Sequence, residues 1–253
     1  MAPTQFEPAH AWVREVAPDG VPVGETTVIA GAGGSGKPLI GFAVVESWLR
    51  AGGSVVVVAT NSGPEFVVET IDRLYGLDVT GDDQVAFVDF DPEMDPSVTA
   101  MESPADGPIR ANLLADDVWR ASIDRAVARV DGDGPGTLVV ASALNLLLFS
   151  ETYREEAIDT LLDAVERDDD LTRLFAVSTS AFEDEIERIE AAADTVLVSA
   201  MDDGRLRLRG ESSASVDVST EFVDVPFSAD QIESIKAVSE ETRQTLIPTL
   251  KDM

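Results

Sequence analysis

The chain has no cysteine among its 253 residues, which removes disulfides, thiol nucleophiles and thiolate metal sites together. It has one histidine, His10, near the N-terminus. With no second imidazole to join it, a histidine metal centre or triad is not expected, and His10 reads as a surface or packing residue. Positive charge is scarce: 18 basic residues stand against 48 acidic ones, and only Lys37, Lys236 and Lys251 are lysines. Contact with a phosphate backbone needs basic patches, so nucleic acid is not an expected partner. Long apolar runs are also missing. The longest, such as Val55–Ala59 and Leu146–Phe149, fall far short of the roughly 20 residues that span a bilayer. The N-terminus lacks a basic-then-apolar leader, so a cytoplasmic protein without a membrane partner is expected.

What is present is acid, spread along the whole length, for a formal charge of −30. A folded domain with this self-repulsion is at ease where salt screens it, and at molar ionic strength the Debye length is about 3 Å. The composition therefore reads as halophilic, from a salt-accumulating cytosol. The alternative is an acidic partner-binding protein of an ordinary cell. Apolar content of 44% is that of a globular chain and not of an acidic disordered tail.

Strand-length apolar runs alternate with helix-length amphipathic stretches. Strands are expected over Glu25–Ala30, Ser54–Thr60, Val85–Phe90, Thr137–Ser142 and Leu174–Thr179. Helices are expected over Lys37–Ala51, Pro64–Tyr75, Asn112–Val130, Thr152–Arg167 and Phe182–Ala193. Asp91–Arg110 reads as a long surface loop. Thr195–Met201 and Arg205–Arg209 read as a hairpin about Asp202-Asp203-Gly204. Repeated strand–helix–strand units demand parallel pairing with right-handed crossovers. The fold class is α/β, a mostly parallel sheet with helices on both faces plus a C-terminal hairpin and helix. One domain is expected over residues 1–225, and a helical extension over 226–253. In the extension, Ser228–Leu246 puts Ile232, Ile235, Val238, Thr242 and Leu246 on one side, to cap the domain edge or dock on a partner.

The most informative stretch is Gly31-Ala32-Gly33-Gly34-Ser35-Gly36-Lys37-Pro38. It follows an expected strand, opens an expected helix, and matches the P-loop pattern G-x-x-x-x-G-K-[ST] except at its last position. Glycines let successive N–H groups point inward around an anion, and the helix N-terminus adds positive potential. Lys37 supplies a point charge for the terminal phosphates. A plain tight turn would need only one or two glycines. Pro38 is tolerated in a first helical turn, yet it removes both a metal-binding hydroxyl and one N–H. A hydrogen bond to a charged group is worth about 1.5–3 kcal/mol, so a nucleotide would bind ten- to a hundredfold more weakly.

The lead-in Gly20-Val21-Pro22-Val23-Gly24, this loop, Val55–Thr60 and the Pro64-Glu65 helix start resemble the KaiC-like branch of the RecA superfamily. Val139-Val140-Ala141-Ser142-Ala143-Leu144-Asn145-Leu146-Leu147 is similar to a later strand of that family, and the likeness covers about Gly20 to Val225. The resemblance implies a RecA-like fold with ATP or another nucleotide on Gly31–Pro38. It also implies a basic hairpin, Arg205–Gly210, in which Arg207 and Arg209 reach a neighbouring subunit or partner. An amphipathic strand with one wet face explains the same arginines equally well. Ser178, Thr179 and Ser180 end a strand where they could face the same pocket, or they mark a plain strand-to-loop transition.

The departures from the family all weaken hydrolysis. Ala141 stands at the metal-organising aspartate, Asn61 and Ser62 at paired glutamates, and Pro38 at the metal-binding hydroxyl, so the pattern argues against Mg²⁺. Phosphoryl transfer depends on positioning and on a metal. The expectation is therefore a hydrolysis-deficient regulatory or structural protein-interaction module, in contact with a protein partner or its own copies. Two alternatives stand beside it: a slow ATPase using Glu65, Asp89 or Asp91 as substitute acids, and a recombinase-like DNA-binding accessory.

Overall fold

The computed structural model describes residues 5–98 and 107–251. Of the last helix, the side chains of Ile235, Val238 and Thr242 lie outside the described residues, as does the middle of the loop expected over Asp91–Arg110. A short antiparallel ribbon, β1 (Gln5–Phe6) and β2 (Val21–Pro22), flanks α1 (Ala11–Val16). There follow β3 (Thr26–Gly31), α2 (Lys37–Arg50), β4 (Ser54–Ala59), α3 (Pro64–Tyr75), β5 (Val85–Phe90), β6 (Ile109–Ala111) and α4 (Asp116–Val127). Then come β7 (Thr137–Ala141), a 3-10 helix (Leu144–Phe149), α5 (Arg154–Glu166), β8 (Thr172–Ser178) and α6 (Glu183–Ala192). The chain ends in β9 (Thr195–Asp202), β10 (Arg205–Ser213), β11 (Val223–Asp224) and α7 (Ala229–Lys251).

Nine strands form one sheet in the order β11-β10-β9-β3-β8-β7-β4-β5-β6. The pairings from β9 across to β6 are all parallel, and the two at the β10 edge are antiparallel. The continuous valines of β4 fit this placement, because a parallel strand covered on both faces has no wet side to fill with polar residues. Side chains alternate across it. Val56 and Val58 enter one core with α4, α5 and α6, whereas Val55 and Val57 enter the other with α1, α2 and α3. Trp48 of α2 is wholly buried in the second core, and its indole N–H donates to Gly136 O at 2.9 Å. The hairpin turns at Asp203 (φ 47°) and Gly204 (φ 76°), the two left-handed residues that match the strands' own twist.

Several boundaries differ from expectation for physical reasons. The helix expected from Asn112 begins at Asp116, because Asn112 is spent on the loop before it, its amide donating to Met94 O at 2.8 Å. The loop expected up to Arg110 already contains part of β6, whose three residues are too few to show alternation. The last helix continues past Pro248 to Lys251. Proline there forfeits a hydrogen bond to the preceding turn, while Leu250 beyond it is fully buried in the core of α4–α6. Ile232, near the start of α7, is buried in the opposite core. The last helix thus crosses from one face of the sheet to the other. Among the described residues no helix is long and apolar enough to cross a membrane.

Candidate functional site

The glycine-rich loop lies at the carboxyl end of β3, where ligands of open parallel sheets bind. Gly31 is the last strand residue, and Gly36, at φ 69°, caps α2 without a side chain of its own. Pro38 sits in the first turn of α2, where its missing N–H costs the helix nothing. Lys37 is buried, and its ammonium donates to Gly31 O at 2.8 Å, Ala32 O at 2.7 Å and Ser35 Oγ at 3.1 Å. Ser35 Oγ also pairs with Ser199 Oγ of β9 at 2.7 Å. The loop is therefore bound to its own lysine and to the neighbouring strand.

The end of β8 closes one side. Thr179 N–H donates to Gly31 O at 3.0 Å, and Gly33 N–H donates to Ser180 Oγ at 2.8 Å. Ser178 and Ser180 both line the cavity beside the loop, whereas Thr179 meets the loop through its backbone. This cavity has a volume of about 330 Å³, at the small end of the range for ligand pockets. Gly33, Gly34, Ser35, Gly36, Lys37 and Pro38 form its floor; Gly31 and Ala32 sit behind, holding the lysine.

Four further contributors were not singled out as cavity residues by the sequence. Ala143 lines the cavity at φ 57°, a left-handed conformation that costs a non-glycine residue about 1–2 kcal/mol. Asn145, buried in the 3-10 helix, accepts from Ser178 N–H at 3.1 Å. A lone amide within Leu144–Leu148 was its available signal. Ile232 and Lys236 arrive from α7, and no local pattern announces that.

Two of the residues expected to weaken hydrolysis, Asn61 and Ala141, lie close by. Asn61 lines the cavity, only 7% exposed, and its Oδ1 has no hydrogen-bond partner. Ala141 ends β7 and Ser142 follows it, both beside a smaller void that also touches Pro38 and Ser62. The candidate substitute acids lie elsewhere. Glu65 is exposed, and Asp91 pairs with Arg110. Burial pushes the Asp89 carboxyl above its ordinary range, with Arg110 opposing the shift and Asp91 reinforcing it. None of the three lines the cavity.

Charge separates this cavity from the rest of the chain. Acids make up 48 of 253 residues, yet among the described residues no aspartate or glutamate lines it, while two of the three lysines do. No group of three or more His, Cys, Asp or Glu that could hold a metal ion occurs among the described residues.

The arginine hairpin faces away from the cavity. Leu206 and Leu208 of β10 are fully buried, with Leu206 packed under Gly36. On the other face, Arg207 pairs with Asp202 and Asp224, both at 3.1 Å, and Arg209 pairs with Glu211. Both guanidiniums lie over Phe222, 5.5 and 5.3 Å from its centroid. The strand is amphipathic, and its arginines form a surface cluster with their own chain's acids. No protein-family model and no curated protein matches the chain.

Proposed function

We propose that this chain is a RecA-like P-loop protein of the KaiC-like kind that binds a phosphate-bearing ligand, ATP or another nucleotide, without hydrolysing it. The reading is carried by the acid-free cavity on the glycine loop. In a protein of charge −30, a pocket lined by two lysines and, among the described residues, by no carboxylate is the place where an anion is attracted and not repelled. The N-terminus of α2 adds its positive potential to the same spot.

Mg²⁺ does not fit the donors present. It is held in nucleotide sites by one or two carboxylates besides the phosphates; the described residues of the cavity offer none, and Pro38 has no hydroxyl. Hydrolysis would lack the metal and the water-orienting acid together. The role proposed is regulatory or structural, read out by a protein partner or a second copy. The dispersed acids support a salt-rich working medium as part of the same proposal.

Thermal melts with and without ATP in molar KCl, alongside steady-state phosphate release, form the test. ATP should raise the melting temperature, Lys37→Ala should abolish the rise, and turnover should stay at background. Turnover near 1 s⁻¹, the low end for typical enzymes, lost in Lys37→Ala, would overturn the reading.

A further inference from the structure

We propose that Lys236 is a phosphate-binding residue, bringing from the chain's own last helix the positive charge that a metal ion would otherwise supply. The cavity then takes a di- or triphosphate chain free of divalent metal. This rests on the reading of the cavity as a phosphate site and adds a residue and a ligand class to it.

Three observations carry the inference. Lys236 lies against the tip of the loop: a methyl group placed on Gly34 would sit 3.4 Å from its Cε and 4.0 Å from its Nζ. Its helix is anchored, with Ile232 buried in one core and Leu250 in the other. Ile232 and Lys236 are four residues apart, hence on one face of the helix, and both line the cavity. The third is an unsatisfied group. The Asn61 side chain is more than nine-tenths buried at the cavity wall, and its Oδ1 is closed off without a partner, an unmet polar group beside the ligand position.

Lys37 alone is a weak counterweight to a phosphate chain bearing several negative charges, and it already holds Gly31 O and Ala32 O. Lys236 approaches from α7, at Gly34. The chain has only three lysines, and α7 brings the second of them to the first.

Calorimetry in molar KCl tests this on wild type, Lys37→Gln, Lys236→Gln and Lys236→Arg, titrated with ATP, ADP and inorganic tripolyphosphate, in EDTA and again with Mg²⁺. Wild type should bind in EDTA, with Kd changing less than twofold on adding Mg²⁺. Lys236→Gln should weaken binding tenfold or more, and Lys236→Arg should stay within threefold of wild type. Melts of the unliganded variants, expected to match wild type, separate lost affinity from lost fold. Equal affinity for tripolyphosphate and ATP assigns the site to the bare phosphate chain, and a preference for ATP assigns it to a nucleotide. In either case the proposal holds only with the Lys236 dependence. Binding lost in Lys37→Gln but unchanged in Lys236→Gln would overturn the role of Lys236 and leave the cavity reading standing, whereas binding seen only with Mg²⁺ would overturn both that role and the metal-free reading of the cavity. Wild type that binds none of the three overturns both.

Discussion

Leu206 forms the floor of the glycine loop: a methyl group on Gly36 would lie 2.8 Å from Leu206 Cδ2. The hairpin whose outer face carries the arginines thus supports, with its inner face, the residue at which the loop turns into α2. Any side chain at Gly36 has to fit against a leucine that is itself fully buried and has to adopt φ 69°.

Gly36→Ala should therefore lower stability by about 2 kcal/mol or more, from left-handed strain and overpacking together. Chemical denaturation in molar KCl measures it, with Gly63→Ala as a near-neutral control because an added methyl there meets nothing within 4 Å. Equal stability of the two variants would mean that the hairpin does not support the loop.

Salt dependence follows from the dispersed acids. Their repulsion is screened at molar KCl and exposed in dilute buffer, so the melting temperature should fall steeply as KCl is lowered at constant pH. A flat salt series would contradict the salt-rich medium proposed above.

Mild acid should stabilise the fold at fixed high salt. Burial raises the Asp89 carboxyl, and burial with nearby Glu211 and Glu187 raises that of Glu190. A carboxyl whose folded value exceeds its unfolded one binds its proton more tightly when folded, so stability grows as pH falls through the folded value and stops growing below the unfolded one. Melts from pH 7 downward should rise towards the carboxylate range, and Asp89→Asn with Glu190→Gln should flatten the rise. A profile that the Asp89→Asn and Glu190→Gln exchanges leave unchanged would be incompatible with these shifts, since Asp78 and Asp95, held below their ordinary range by Thr80 and Ser97, act in the opposite sense.

The half-buried arginine cluster, paired with exposed acids, tests the partner surface. Arg207 and Arg209 spend their charge on acids of their own chain, and exposed pairs contribute only about 0–1 kcal/mol each. Replacing both by Ser should leave the melting temperature nearly unchanged. If the cluster is an interface, light scattering in molar KCl should show a smaller assembly for the double variant; a wild type that is monomeric at all concentrations removes the interface from the proposal.

The α/β class was legible in the chain because a doubly covered strand leaves a continuous apolar run, as in Val55–Val58, and an amphipathic helix leaves a 3.6-residue stripe, as in Pro64–Tyr75. Those periodicities say which side of an element is buried. The loop at Gly31–Pro38 was equally visible, since its glycines and lysine are local in sequence. What each buried side meets is a property of the assembled surface. The apolar stripe of the last helix indicated a packed face, but only the assembled fold buries Ile232 in one core and Leu250 in the other and sets Lys236 beside Gly34. The arginine hairpin likewise displayed its alternation in sequence, while Phe222 and Asp224, which its arginines clasp, were decided by the fold of a later segment. Asn145 and Asn61 became cavity residues the same way: an amide's chemistry is local, but whether it finds a partner depends on which distant backbone arrives next to it.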